Sequence, residues 1–147
     1  MELVIRDYND NEFESVKKLL LDSFPEVNDL LIEGFTSSDS LSLDKSKYIQ
    51  LVAYEGDILV GYLLSSKSYD PIMKRSNFWI DYVCVNVEYR GRGIARKLLQ
   101  KIEDKAREEN VLFLQLTSSR FRNDARKLYS DFGFVIRESD IFRKVLD

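Results

Sequence analysis

Between Arg90 and Lys97 the chain reads Arg-Gly-Arg-Gly-Ile-Ala-Arg-Lys, two glycines among four cations in a protein whose net charge is -3. A β-rich run precedes this stretch and a run with helical spacing follows it. Strand, glycine-rich turn and helix form a phosphate-binding arrangement. The glycines let backbone N–H groups approach an anion closely, and the helix start adds partial positive charge. A Walker loop would need Gly-Lys followed by Ser or Thr, which is missing. A dinucleotide fingerprint would need a third glycine where Arg96 stands, and would begin near the N-terminus rather than in mid-chain.

Other chemistries are limited by what the chain lacks. It has no histidine and one cysteine, Cys84. His-based metal sites and Ser-His or Cys-His nucleophilic pairs are therefore excluded, and no metal is expected. A lone cysteine cannot form an internal disulfide, which fits a reducing compartment. The start, MELVIRDYNDNEFE, is too acidic for a signal peptide. The longest apolar stretch, Ile58 to Leu64, is broken by Gly61 and far short of a membrane span. A cytoplasmic protein with no membrane partner is expected. Residues 1–89 carry 8 Lys/Arg against 16 Asp/Glu, and residues 90–147 carry 14 against 9. An acidic first part and a basic second part suggest two sites of opposite preference. Nucleic-acid binding by the basic part is disfavoured by the overall acidity.

The elements that must position the turn follow from periodicity. Glu2 to Arg6 reads as a strand. Asn9 or Asp10 can cap a helix with Phe13, Val16, Leu20 and Phe24 on its apolar face. Asp29 to Phe35 suits a short second helix, and Thr36 to Ser46 a loop. Tyr48 to Tyr54 and Ile58 to Leu64 form a hairpin about Glu55-Gly56-Asp57. Lys67 to Asn77 is a polar connection or an extension of the strand before it. Phe78 to Val85 is a strand, and Arg92 to Glu109 a long amphipathic helix with Ala95, Leu98, Ile102 and Ala106 inward. Val111 to Thr117 is a strand, Asp124 to Phe132 a helix closed by Gly133. Phe134 to Glu138 and Ile141 to Leu146 read as a closing strand pair. The order predicts an α/β (α+β) chain, one mixed sheet of about seven strands with about four helices on its faces, in a single domain over residues 1–147.

Arg90-Gly91-Arg92-Gly93-Ile94-Ala95 matches Gln/Arg-x-x-Gly-x-Gly/Ala, the pyrophosphate signature of the GNAT superfamily of acyl-CoA-dependent N-acyltransferases. The stretch IDYVCVNVEYRGRGIARKLLQKI resembles that family's fourth strand, loop and third helix. LTSSRFRNDARKLYSDFGF resembles its fifth strand, fourth helix and closing Gly-Phe. The resemblance covers essentially the whole chain and implies a mostly antiparallel central sheet. It also implies acetyl-CoA as co-substrate, with its pyrophosphate held by backbone groups from Gly91 to Arg96 and charge from Arg90, Arg92, Arg96 and Lys97.

The resemblance further implies N-acetyl transfer to a primary amine of a small molecule or peptide. Such a reaction needs a neutral amine, a donor for the oxyanion and a proton for the thiolate. Tyr129, in LYSDFGF, takes the place of the family's general acid toward sulfur. Backbone groups of Val83, Cys84 and Val85 correspond to those that take the cofactor arm where the fourth strand parts from the fifth. Cys84 then reads as core packing rather than a nucleophile. Asp81 is the candidate base. Many relatives carry a longer Glu there, so a bridging water suits Asp81 better than direct contact. Its alternation with Trp79 and Val83 places it among apolar residues, which could raise its pKa. Where many relatives have Asn, this chain has Arg122 followed by Asn123, and either can contact coenzyme A.

The acceptor wall implied by the resemblance falls in residues 22–44, which hold six carboxylates and no Lys or Arg. Phe24, Glu26 and Asp29 are the candidate substrate contacts, and an acidic cleft would attract a cationic amine. Phe24, Phe35 and Trp79 are candidates for an apolar wall or for core. A non-catalytic coenzyme A sensor or interaction module is the competing reading. A homodimer is left open.

Overall fold

The structure, a computed structural model, describes residues 2–25, 35, 37–120 and 122–146. The chain divides into two compact units, Met1–Thr117 and Ser118–Asp147.

The first unit holds β1 (Leu3–Asp7), α1 (Phe13–Ser23), β2 (Tyr48–Glu55), β3 (Ile58–Asp70), β4 (Arg75–Val85), α2 (Ile94–Glu108) and β5 (Phe113–Gln115). The strands lie side by side in chain order. The first three pairings are antiparallel, and β4 with β5 is parallel. A parallel pair needs a crossover, and α2 supplies it. The β2–β3 turn carries Gly56 at φ +63°. Lys67 to Asp70 extends β3, so the polar stretch is mostly strand. At the β3–β4 turn, Asp70 Oδ1 accepts from the N–H groups of Ile72 and Met73.

Between the two possible caps before α1, the structure selects Asn9. Its side chain accepts from the Asn11 N–H, while Glu12 accepts from the Asn9 N–H at 2.8 Å, a capping box on the short turn that leads into α1. Glu12 is buried, and also takes Arg6 at 2.7 Å and the Tyr54 hydroxyl. One carboxylate thus joins β1, the helix entry and β2. Phe13, Val16, Leu19 and Leu20 of α1 pack in one core with Tyr8, Val52, Tyr62 and Cys84.

Neighbouring residues on a strand point to opposite faces. Val52 and Tyr62 share the α1 core, so Ala53 and Gly61 face the other way, where α2 lies. Leu98, Leu99 and Ile102 of α2 are wholly buried, each worth about 1.5–3 kcal/mol of hydrophobic stabilisation. A Cβ on Gly61 would come within 3.1 Å of Leu98 Cδ1 and 3.2 Å of Ile94 Cγ2. That close approach sets the depth of the first turn of α2 on the sheet.

In the second unit, α3 spans Asn123–Phe132 and ends at Gly133, φ +112°. The Phe134 N–H returns to the Tyr129 carbonyl at 2.9 Å. Phe134 stacks on Phe132 and meets Tyr129 edge-on, with both centroid distances 6.0 Å.

The described residues hold five strands rather than about seven, and three helices rather than about four. The expected strands at Phe134–Glu138 and Ile141–Leu146 do not form. Val135, Ile136, Ile141, Phe142, Val145 and Leu146 are all exposed. An apolar β-rich run can suggest a strand, but a strand also needs a ladder partner, and a hairpin alone is marginal in water. The helix expected at Asp29–Phe35 lies, except for Phe35, outside the described residues. β5 is shorter than the Val111–Thr117 expected.

Candidate active site

The glycine turn is built from β4 outward. Asn86 Oδ1 accepts from the Glu88 N–H at 2.9 Å and opens a single turn, Val87–Tyr89. Arg90 Nε then donates to the Val85 carbonyl at 3.4 Å. Gly91 and Gly93 follow at φ +80° and +76°. Both conformations strain any residue with a Cβ, yet a Cβ there would touch nothing within 4 Å. Backbone course, not crowding by the protein, therefore asks for glycine, and the space beside the turn is open.

α2 begins at Ile94 with Gly93 as its cap, no side-chain cap and no acidic residue in its first turn. A helix start of this kind presents N–H groups and partial positive charge to an anion. Ile94 is buried and Ala95 half-buried, whereas Arg90, Arg92, Arg96 and Lys97 are exposed. The Arg92 guanidinium is turned toward Glu55, at 3.1 Å.

The pairing of β4 with β5 ends at Trp79 and Gln115. Gln115 Nε2 donates to Asn77 Oδ1 at 3.2 Å, bracing the joined end. From Ile80 to Val85, β4 has no partner on that side among the described residues. Val83, Cys84 and Val85 end this unpaired stretch, and the turn over residues 86–93 follows them directly in the chain. The side chains of Cys84 and Val85 are buried. Burial pushes the Cys84 thiol up to about 12, against small opposing contributions from Ser23, Arg90 and the Tyr62 carbonyl. At neutral pH it is a packing group.

Asp81 sits in a β-bulge. Leu64 pairs with Tyr82 and Ser65 with Ile80, which leaves Asp81 as the extra residue. Asp81 and Tyr82 are consecutively exposed, so the expected simple alternation of Asp81 with Val83 is broken. Desolvation raises the Asp81 pKa above its ordinary 3.8, opposed by hydrogen-bonding groups of Ser66. Phe24, the residue after α1, meets Tyr82 edge-on with centroids 5.4 Å apart. The contact sets Phe24 beside the bulge that carries Asp81. Trp79 is partly exposed, and Phe35 packs against Phe13 at 6.2 Å. Glu26 and Asp29 lie outside the described residues.

Sequence reasoning did not name Tyr82 as a site residue. The available signal was a charged residue followed by a tyrosine inside an otherwise apolar strand.

In the second unit, Arg122 caps α3 by position only, and Asn123 is its first residue. Tyr129 is half-buried. Burial raises its hydroxyl pKa above 10.0, and the charge of Arg122 works against that rise. The hydroxyl therefore stays protonated at neutral pH, as a proton donor must.

Among the described residues, no helix is long and apolar enough to cross a membrane, and no cluster of His, Cys, Asp or Glu could hold a metal ion.

The pattern of the acetyltransferase (GNAT) family matches residues 13–134. An uncharacterised N-acetyltransferase of Bacillus subtilis (strain 168), YhdJ, is 29% identical over 128 residues, which cover 84% of this chain and 89% of the relative. A ribosomal-protein-alanine N-acetyltransferase from Brucella melitensis biovar Abortus 2308 has a similar crystal structure. Its TM-score is 0.82 at 22% identity, covering 99% of this chain and 100% of that one. The structure of AAC(6')-Iy in complex with the bisubstrate analogue CoA-S-monomethyl-acetylneamine matches with a TM-score of 0.82 at 17% identity, covering 100% of both chains.

Proposed function

The chain belongs to the acetyltransferase (GNAT) family, and from that premise we propose that it moves an acetyl group from acetyl-CoA to a primary amine of a small molecule or peptide, by direct attack in a ternary complex. Acyl transfer is the activity of the family. The acceptor and the residue roles are the proposal, together with the reading of residues 1–147 as one functional domain.

What supports this reading is the part of β4 beyond Trp79, which has no ladder partner among the described residues, leading to a helix start without a side-chain cap behind two left-handed glycines. Such a surface suits a long, extended ligand that ends in a diphosphate. Main-chain amides from Gly91 to Arg96 hold the diphosphate, with Arg90, Arg96 and Lys97 as nearby charge. Val83, Cys84 and Val85 take the pantetheine arm through backbone groups. Arg122 or Asn123 adds a further contact to coenzyme A.

The bound co-substrate supplies the thioester carbonyl. The amine nitrogen forms a bond to its carbon, and the C–S bond breaks. Asp81 receives the amine proton through a water, and its raised pKa brings it nearer to that of a useful base. Tyr129 gives its proton to the departing sulfur. Phe24 forms part of the acceptor wall. Glu26 and Asp29 contribute the acidity that draws a cationic amine.

A panel of cationic amines with acetyl-CoA, read by release of free thiol, tests the reading. Turnover with at least one primary amine is expected. Coenzyme A binding without thiol release for any amine in the panel would overturn transfer, and absence of calorimetric binding would overturn the site itself.

A further inference from the structure

Glu55 closes β2, and its carboxylate accepts from Arg92 Nη1 at 3.1 Å on one oxygen and 3.2 Å on the other. The Arg92 guanidinium also lies 4.9 Å from the centroid of the Tyr89 ring. One side chain, placed between two left-handed glycines, therefore meets an aromatic ring from the same turn and a carboxylate from the β2–β3 hairpin. The turn is held at two other points. Arg90 is anchored to the end of β4, and Ile94 is seated over Gly61. Without Glu55, the segment between those anchors contains two glycines and the exposed Arg92, and glycine is the residue with most backbone freedom to lose.

We propose that Glu55 is a positioning residue for the diphosphate-binding turn. It holds Arg92 as a strut, fixes the course of residues 89–93, and so presents the amides at the start of α2 ready for the ligand. Arg92 serves this turn by its tie to Glu55 rather than as a phosphate ligand. The proposal rests on the coenzyme A reading above.

The sign of the effect separates this role from plain electrostatics. Glu55 is an anion close to an anion-binding turn, so its charge alone opposes the ligand. Removing that charge would tighten binding if charge were all that mattered. Loss of pre-organisation acts in the opposite direction, since a loosened turn must be ordered when the ligand arrives. The two effects have opposite signs, so the direction of the measured change tells which of them dominates.

The test uses the full chain, with Glu55→Gln, Arg92→Gln, the double variant and Glu109→Gln. Glu109 forms an ion pair with Lys67 at 3.0 Å away from the turn and serves as control. At 0.15 M salt, Glu55→Gln should weaken coenzyme A binding by calorimetry and raise KM for acetyl-CoA by about three- to fivefold, a size in keeping with one partly exposed ion pair. The kcat and the melting temperature should hold. Arg92→Gln should do the same, the double variant should be no worse than either single one, and Glu109→Gln should leave KM unchanged. Tighter binding in Glu55→Gln, or additive losses in the double variant, would overturn the proposal. Amide exchange of residues 89–96 without ligand provides a readout independent of coenzyme A. It should accelerate in Glu55→Gln, and unchanged exchange would overturn the strut role even if the unaltered protein binds coenzyme A. If exchange accelerates but the unaltered protein binds no coenzyme A, the strut stands and the cofactor reading fails.

Discussion

Phe24 sets its ring edge-on to Tyr82, with centroids 5.4 Å apart and planes at 79°. The contact fastens the end of α1 to the bulge that carries Asp81, and so links the proposed acceptor wall to the proposed base. Phe24→Ala should raise KM for the amine several-fold and leave KM for acetyl-CoA unchanged. An edge-to-face pair adds about 1 kcal/mol beyond the area it buries, and Phe24 also packs against the α1 core, so a clear loss of thermal stability should accompany the change in KM. Initial rates with each substrate varied in turn decide this, and equal rises in both KM values would contradict an acceptor role.

Asp81 is predicted to exchange stability for function. Its folded-state pKa is raised by desolvation. A raised carboxyl contributes its stability fully below the unfolded value and loses it as pH rises through the folded value. The charged form is therefore the unfavourable one in the fold at neutral pH. Asp81→Asn should melt at a higher temperature than the unaltered protein at pH 7. That gap should close as pH falls toward 3.8, while kcat drops. Melting curves across pH, beside a rate profile, test both halves. A variant that melts lower at pH 7 would place Asp81 among the stabilising carboxylates instead.

Tyr129→Phe should lower kcat with little change in coenzyme A binding. Burial raises the hydroxyl pKa above 10.0, so this group remains an acid through the whole neutral range. The rate of the unaltered enzyme should show no alkaline fall from Tyr129 below pH 10. Calorimetry and a pH–rate profile check this. Equal loss of binding and turnover would give the ring a structural role through Phe134 and Phe132.

Glu12 should govern acid sensitivity. Its burial pushes the carboxyl pKa up, but Arg6, Tyr54 and the Asn9 N–H together hold it below the ordinary 4.5. A lowered carboxyl contributes stability above its unfolded value and loses it as pH falls through the folded value. Glu12→Gln should cost about 1–2 kcal/mol at pH 7, and the difference from the unaltered protein should shrink below about pH 4. Chemical denaturation at pH 7 and at pH 3.5 gives the two numbers.

Local rules carried the sequence reading a long way and stopped where partners begin. Gly91 and Gly93 were legible because a left-handed backbone is written in glycine. The helix over Ile94–Glu108 was legible because one buried stripe repeats through four turns. The parting of β4 from β5 came only from family resemblance, since backbone geometry leaves no mark on side-chain type. The bulge at Asp81 depends on where Leu64 and Ser65 fall on the facing strand, and no window along β4 contains that. The Glu55–Arg92 pair joins residues 37 positions apart, so nothing near either one announces it. Phe134 to Leu146 shows the opposite failure, because its apolar runs read locally as strands while no strand forms there.

Beyond Trp79 one flank of β4 has no ladder partner among the described residues, with a consequence for handling the molecule. A strand edge without a ladder partner accepts an extended chain that reaches it, a neighbour's included. Protein stripped of its thioester carrier is expected to cloud sooner on concentration or mild warming. If coenzyme A lies along this edge as proposed, adding it should delay the clouding, an effect that light scattering would follow directly.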